Sequence, residues 1–534
     1  MNSVFAFASA IVAMILASAA PAGAFDRCND FPQTEDGFRD WLSRRIIHTV
    51  PEKYFDLANS IKLETKPGFA GFSPVFANVD QQGSPLVVFP ADAAPVICKI
   101  VLAQYVFFDG EEAALASNAQ DAAARCIEEK MQSQEPLGAC LVGYANDLEA
   151  NYRDRFAQLS AQAQSQTYGY AGDAIEQIAK HEFAHHFLNH FDRVRSGSLA
   201  REDAEFEADF DAQLNAVQTG TLHSAMYYFF APLGEIERRV TALKSANYES
   251  ADCRAANIND ITGLFGIVTL VLNDAAEGEN RYFTSKQPSM RLATLLGELR
   301  GRPAPAPSEF SCGKLSLQVL GEAQQEMIEF TAIFADFANV LFEDGDEVKP
   351  ATFGSHNKEN VLQLIDRLQT VSAGFVHLRG LSARALSILI ARLAHGLEAE
   401  DNSLHPVVES VMAASGGAFI SGDYARLLNQ RALFVLYEQK EVDVETRLEE
   451  SRRMFERSVQ LLPHLTESLS NLAIISLAKG NCGEAAMFAE KTINSTENEA
   501  VRKQVEQFLD DVRQGIDADR CSEVSQNMLE RLAN

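Results

Sequence analysis

Residues 181–190 read His181-Glu182-Phe183-Ala184-His185-His186-Phe187-Leu188-Asn189-His190, and residues 205–209 read Glu205-Phe206-Glu207-Ala208-Asp209. On a helix, residues four apart stand one turn above each other on the same face. His181 and His185 therefore present both imidazoles to one metal ion, and Glu182, next to the first, can take a proton from water on that ion. Glu205 with Asp209, and Glu207 with Asp211, are each two carboxylates one turn apart. Either leading glutamate would complete a two-His, one-Glu donor set with a fourth position left for water. The acid one turn on could accept the far ring N–H of a ligating histidine, fixing its tautomer.

Other registers fail. His186 and His190 are also four apart, but Phe187 stands where the base should be. Leu188 and Phe191 occupy the positions where a metzincin would need glycine and histidine. Glu202 is followed one turn on by Phe206, which cannot orient anything. His186 and His190 are thus read as packing or surface residues.

Working outward, a helix is expected from about Asp173 to Arg193, with Asp173 as N-cap and Glu176 completing a capping box. A second helix is expected from about Arg201 to Val217, with Ser196-Gly197-Ser198 as the turn between them. Upstream, Ser60–Glu64, Val75–Val79 and Leu86–Phe89 read as strands. Val96–Phe108 fits a strand or a buried helix equally. From about Leu148 the chain reads as helical. Gly301-Arg302-Pro303-Ala304-Pro305-Ala306-Pro307 is an extended linker. Beyond it, Asn471-Leu472-Ala473, Gly480, Ala485, Ala489 and Lys491 follow tetratricopeptide spacing, with Phe455, Ser458 and Pro463 closing a preceding repeat. The expected division is a targeting segment at 1–24, a metal-binding domain at 25–300, a linker at 301–308, a helical region at 309–420 and helical repeats at 421–534. The part after the linker is expected to be separable from the metal-binding domain.

The chain has 534 residues, 74 acidic against 46 basic, for a formal net charge of −28. That balance excludes nucleic acid as a partner and disfavours anionic membrane surfaces. Val4–Ala20 is apolar and uncharged, and Ala22-Gly23-Ala24 suits signal peptidase, so cleavage is expected before Phe25. Met1-Asn2-Ser3 lacks a basic residue, and the alternative is a retained anchor. No lipobox precedes Cys28, and no later run is long enough to span a membrane. The eight cysteines form no C-x-x-C pair, which points to disulfides in an oxidising compartment, with Cys126–Cys140 and Cys482–Cys521 as the local pairs. A periplasmic or secreted protein is expected.

The H-E-x-x-H helix followed by Glu205-Phe206-Glu207-Ala208-Asp209 resembles the gluzincin metallopeptidases related to CAAX prenyl endopeptidase, some of whose periplasmic members carry C-terminal tetratricopeptide repeats. The short gap from His185 to Glu205 is also similar to that of thermolysin. The resemblance is specific over residues 178–212. It implies an α+β, mostly helical zincin-like domain with a small sheet, ahead of an all-α C-terminal region of helical hairpins. It favours Glu205 over Glu207 as the ligand beside His181 and His185, with one Zn²⁺, Glu182 as general base and Asp209 behind His181. The family's downstream His-Pro segment would fall at Ser285–Leu292, where Gln287 replaces the histidine. His223, Tyr227, Tyr228 and Arg291 are candidates to stabilise an oxyanion. The implied activity is zinc-dependent endoproteolysis, with a protein or peptide substrate and a protein partner on the repeats. A binding or chaperone-like repeat protein with a structural metal site is the competing reading, and a hydrolase of non-peptide amides is a third.

Overall fold

Three short strands pair into one sheet: β1 (Lys62–Glu64), β2 (Phe76–Val79) and β3 (Pro85–Val88). The β-branched pair Val87-Val88 is buried, and β3 lies in the middle, parallel to β1 and antiparallel to β2. Asp80 closes the β2–β3 hairpin by accepting from the amides of Gln82 and Ser84. The computed structural model describes residues 28, 35–66, 75–80, 82–106, 113–221, 225–240, 251–277, 315–341, 355–396, 404–496, 498–517 and 521–533. The expected targeting segment and the linker lie outside these residues. Among the described residues the chain is mostly helical, with this one small sheet.

Short helices α1 (Glu35–Leu42) and α2 (Phe55–Ser60) precede and follow a π-turn. The ambiguous stretch at Val96 is helix α3 (Ala93–Val106), buried on nearly all sides. It packs under α5 (Gly138–Gln158), which follows α4 (Ala113–Ser133), and under α6 (Ala161–Phe187). The short α7 (His190–Arg195), α8 (Arg201–Thr219), α9 (Tyr227–Arg239) and α10 (Ala251–Glu277) follow. Among the described residues three disulfides are formed, Cys28–Cys98, Cys126–Cys140 and Cys482–Cys521, as in a chain that folds in an oxidising, exported setting. No helix among the described residues is long and apolar enough to cross a membrane.

Helix α6 corrects the expected start. Its N-cap is Ser160, whose hydroxyl accepts from the Ala163 amide, and Asp173 lies mid-helix. Two glycines, Gly169 and Gly172, each cost a helix about 1 kcal/mol relative to alanine. Burial of Ala171, Ala174, Ile175 and Ile178 in a first hydrophobic core, shared with α3 and α5, outweighs that cost. The helix then ends at Phe187, so α7 is a separate turn rather than its continuation.

Helix α8 has two working faces. Ala208, Ala212 and Ala216, all fully buried, let it approach α6 closely. Lys180 bridges the pair, its Nζ 2.6 Å from Glu176 and 3.1 Å from the Thr219 hydroxyl. The other face carries Phe206, Phe210 and Val217 into a second core. That core also takes Ile261 and Phe265 from α10, and it includes residues between Val319 and Leu427. This second core therefore runs across the expected boundary at the linker.

The second core is built by α11 (Leu315–Leu341), α12 (Ser355–Ser372), α13 (Arg379–Gly396) and α14 (Leu404–Ala414). Beyond them, α15 (Ser421–Tyr437), α16 (Val444–Leu461), α17 (Thr466–Ala478), α18 (Cys482–Ser495), α19 (Glu499–Asp517) and α20 (Cys521–Ala533) pack each on the next. The last five enclose most of a third core, and α15 reaches back to the first. The amide of Ser421 donates to Val50 O at 2.8 Å, and Arg457 pairs with Glu52 and Asp56.

Candidate metal centre

The last turns of α6 carry His181, Glu182 and His185, all buried, and α8 passes across them with Glu205. His186, on the neighbouring face, fastens the helix to the sheet through Nε2 and Leu86 O at 3.1 Å. Three donor atoms converge. His181 Nε2 is 3.1 Å from His185 Nε2 and 3.2 Å from Glu205 Oε2, and His185 Nε2 is 3.7 Å from the same oxygen. An ion with bonds of about 2.0–2.1 Å in tetrahedral geometry holds its donors about 3.3 Å apart. The triangle fits that spacing, and its two nitrogens and one carboxylate oxygen form a set that suits zinc.

Electrostatics supports a cation there. Burial and Arg254 push His181 down, but Asp209 and Glu205 outweigh them and raise it to about 9. Two carboxylates thus face one imidazole, and the site favours a positive charge. Burial pushes His185 down to about 4, which keeps it neutral, as a ligand must be. Glu182 has a ligand atom within 4.8 Å of both histidines'. Burial, helped by the charge on Glu205, raises it to about 7 against the pull of His181, Arg254 and the Ala77 amide.

No family model, curated protein or solved structure matches this chain. The chemistry of the centre therefore rests on its own residues. Asp209 is fully buried, with Oδ1 2.8 Å from His181 Nδ1. With the hydrogen on Nδ1 the carboxylate accepts it and Nε2 is left facing the triangle, although Arg254 Nη2 also lies 3.0 Å from that Nδ1. Behind it stands Arg254 of α10, with Nη2 2.6 Å and Nε 3.1 Å from the two carboxylate oxygens and its guanidinium 4.0 Å from the Phe230 ring centroid. Nothing in the sequence around Arg254 marks it, because only the packing of α10 on α8 brings it there.

Glu207 lies outside the donor triangle. It accepts from His190 Nε2 at 3.1 Å and from the Arg193 fork at 2.6 and 3.0 Å. Although burial raises it, those contacts hold it down at about 2. Its partner in spacing, Asp211, is raised to about 6 by burial despite Lys53 and Lys180. Asp211 lines a cavity of about 480 Å³ between α8 and the second core. His190 is buried, not at the surface, with Nδ1 2.9 Å from His185 Nδ1. The signal for it was the density of histidines after the motif. Tyr227 packs edge-on against Tyr228 and on the first core, and no hydrogen bond joins it to the triangle. Tyr228 packs tilted against Tyr105, with ring centroids 4.8 Å apart. His223, Arg291 and the Ser285–Leu292 segment lie outside the described residues.

Proposed function

We propose that this chain is an exported zinc-dependent endopeptidase, with the ion held by His181, His185 and Glu205 and with Glu182 as general base. The observation that carries the reading is the donor triangle at tetrahedral spacing with a buried carboxylate beside it. A structural metal site has no use for such a base. Zinc held there supplies Lewis acidity and an acidified water. Glu182 takes the proton on a carboxylate oxygen and returns it to the nitrogen of the departing amine.

The edge strand β2 supports a peptide substrate. Phe76 and Asn78 turn toward β3, so Ala77 turns its amide outward, where it donates to Glu182. An extended peptide laid along that strand edge would pass directly over the base. The C-terminal helices support a partner-binding layer of tetratricopeptide type. Gly480, at φ 80°, makes the turn between α17 and α18, and Ala473, Ala485 and Ala489 are buried where helices meet. A periplasmic or secreted location agrees with the three disulfides. Metal analysis of purified protein, beside casein digestion by wild type and Glu182→Gln, tests the whole reading. Protein without a bound ion, or a Glu182→Gln variant that digests casein normally, would overturn it.

A further inference from the structure

We propose that His190 and Glu207 are positioning residues for the metal centre, holding His185 in the tautomer that leaves its Nε2 bare toward the ion. The inference rests on the donor triangle described above. If His185 offers Nε2 to a metal, its one hydrogen sits on Nδ1. That atom is 2.9 Å from His190 Nδ1, which must then accept. A neutral imidazole accepting at Nδ1 carries its own hydrogen on Nε2. His190 Nε2 lies 3.1 Å from a Glu207 oxygen, and a carboxylate only accepts. Arg193 closes the chain by donating twice to the same carboxylate. Every donor direction is forced by the one before it.

The backbone is shaped for this contact. On an unbroken helix a residue five positions on lies well around the cylinder from its reference, so His190 could not face His185. Helix α6 stops at Phe187, and Asn189 adopts the left-handed conformation at φ 53°, which asparagine tolerates better than most residues. The chain turns there and brings the His190 ring back against His185, with centroids 4.9 Å apart. His181 is served in parallel by Asp209 and Arg254. Each histidine of the triangle thus has a ring N–H path that ends on a carboxylate forked by an arginine. Glu207 also lines the cavity between α8 and the second core, so this path reaches a water-accessible wall.

The test uses His190→Leu and His190→Asn in the full chain. Two quantities are read: zinc affinity by chelator competition, and the ring tautomer of His185 by nitrogen-15 NMR in metal-free protein. Wild type should show His185 protonated at Nδ1. His190→Leu should mix the tautomers and weaken zinc by about 10–100-fold. His190→Asn, which restores an acceptor oxygen near the lost Nδ1, should recover most of both. A His190→Leu protein with unchanged tautomer and zinc affinity overturns the proposal, even if its melting temperature falls. Should that variant not fold, Glu207→Gln must still shift the His185 ring signals and weaken zinc by a smaller factor, and unchanged values overturn it equally. If wild type binds no zinc, the metal reading fails, while the tautomer measurement still decides the positioning role.

Discussion

The backbone amide of Ala77 donates to Glu182 Oε2 at 2.6 Å, so the edge of the sheet touches the carboxylate that stands beside the donor triangle. Glu182 is the point where strand and helix meet, and it is held without being part of the triangle. Glu182→Gln keeps a side chain that can accept from Ala77 but cannot take a proton. It is expected to retain zinc at the wild-type level and lose nearly all peptide turnover, about 10²–10⁴-fold or more. Metal content and peptidase rate on the same preparation check both halves.

Glu205 and Glu207 should separate cleanly. Glu205 completes the triangle, whereas Glu207 is occupied by His190 and Arg193. Glu205→Gln is expected to lose zinc on dialysis, since two ligands hold it too weakly. Glu207→Gln should retain it with measurably lower affinity. Zinc retained by the first variant and lost from the second would move the third ligand by about half a turn.

Arg254 neutralises a carboxylate with no access to water. Removing one partner of such a buried pair typically costs about 3–5 kcal/mol. Arg254→Met is expected to lower unfolding stability in urea by that order and to weaken zinc, because Asp209 loses its fork. Arg254→Lys should recover the charge but only part of the affinity, since an ammonium cannot match the two-point geometry.

Asp211 gives the fold a pH signature. Burial lifts its folded pKa from the ordinary aspartate value of 3.8 to about 6, so the folded form prefers the neutral acid. Its stabilising effect is complete below about pH 4 and is lost as pH rises through 6. Asp211→Asn should therefore stabilise the metal-free protein at pH 8 by about 1–3 kcal/mol, allowing for screening by water in the cavity it lines, and do little at pH 4. Urea titrations at both pH values check it. Equal effects at the two would mean that folding does not raise the Asp211 pKa.

A chain ended near Arg302 is expected to unfold or aggregate. Phe206 and Phe210 on the back of the helix that carries Glu205, and Phe265 on α10, pack with residues between Val319 and Leu427, and truncation would expose all three. Circular dichroism and zinc content of such a fragment decide the point. A soluble, zinc-loaded fragment would show that α8 holds its position without that core.

Much of this protein was legible locally. The four-residue spacing of His181 and His185, the three strand segments, the helix at Arg201 and the disulfides Cys126–Cys140 and Cys482–Cys521 depend on neighbours in the chain, and periodicity and turn chemistry encode those. The start of α6 was misjudged because Asp173 carries a cap signature that burial of the surrounding helix overrides. What only the tertiary structure decided are the relations between elements. It placed Glu205 rather than Glu207 in the triangle, put Arg254 behind Asp209, turned His190 back onto His185 and joined Cys28 to Cys98. Spacing along one helix says which residues share a face. It does not say at what height or angle a second helix crosses that face, and here the alanine-lined contact of α8 on α6 and the packing of α10 against α8 set that geometry.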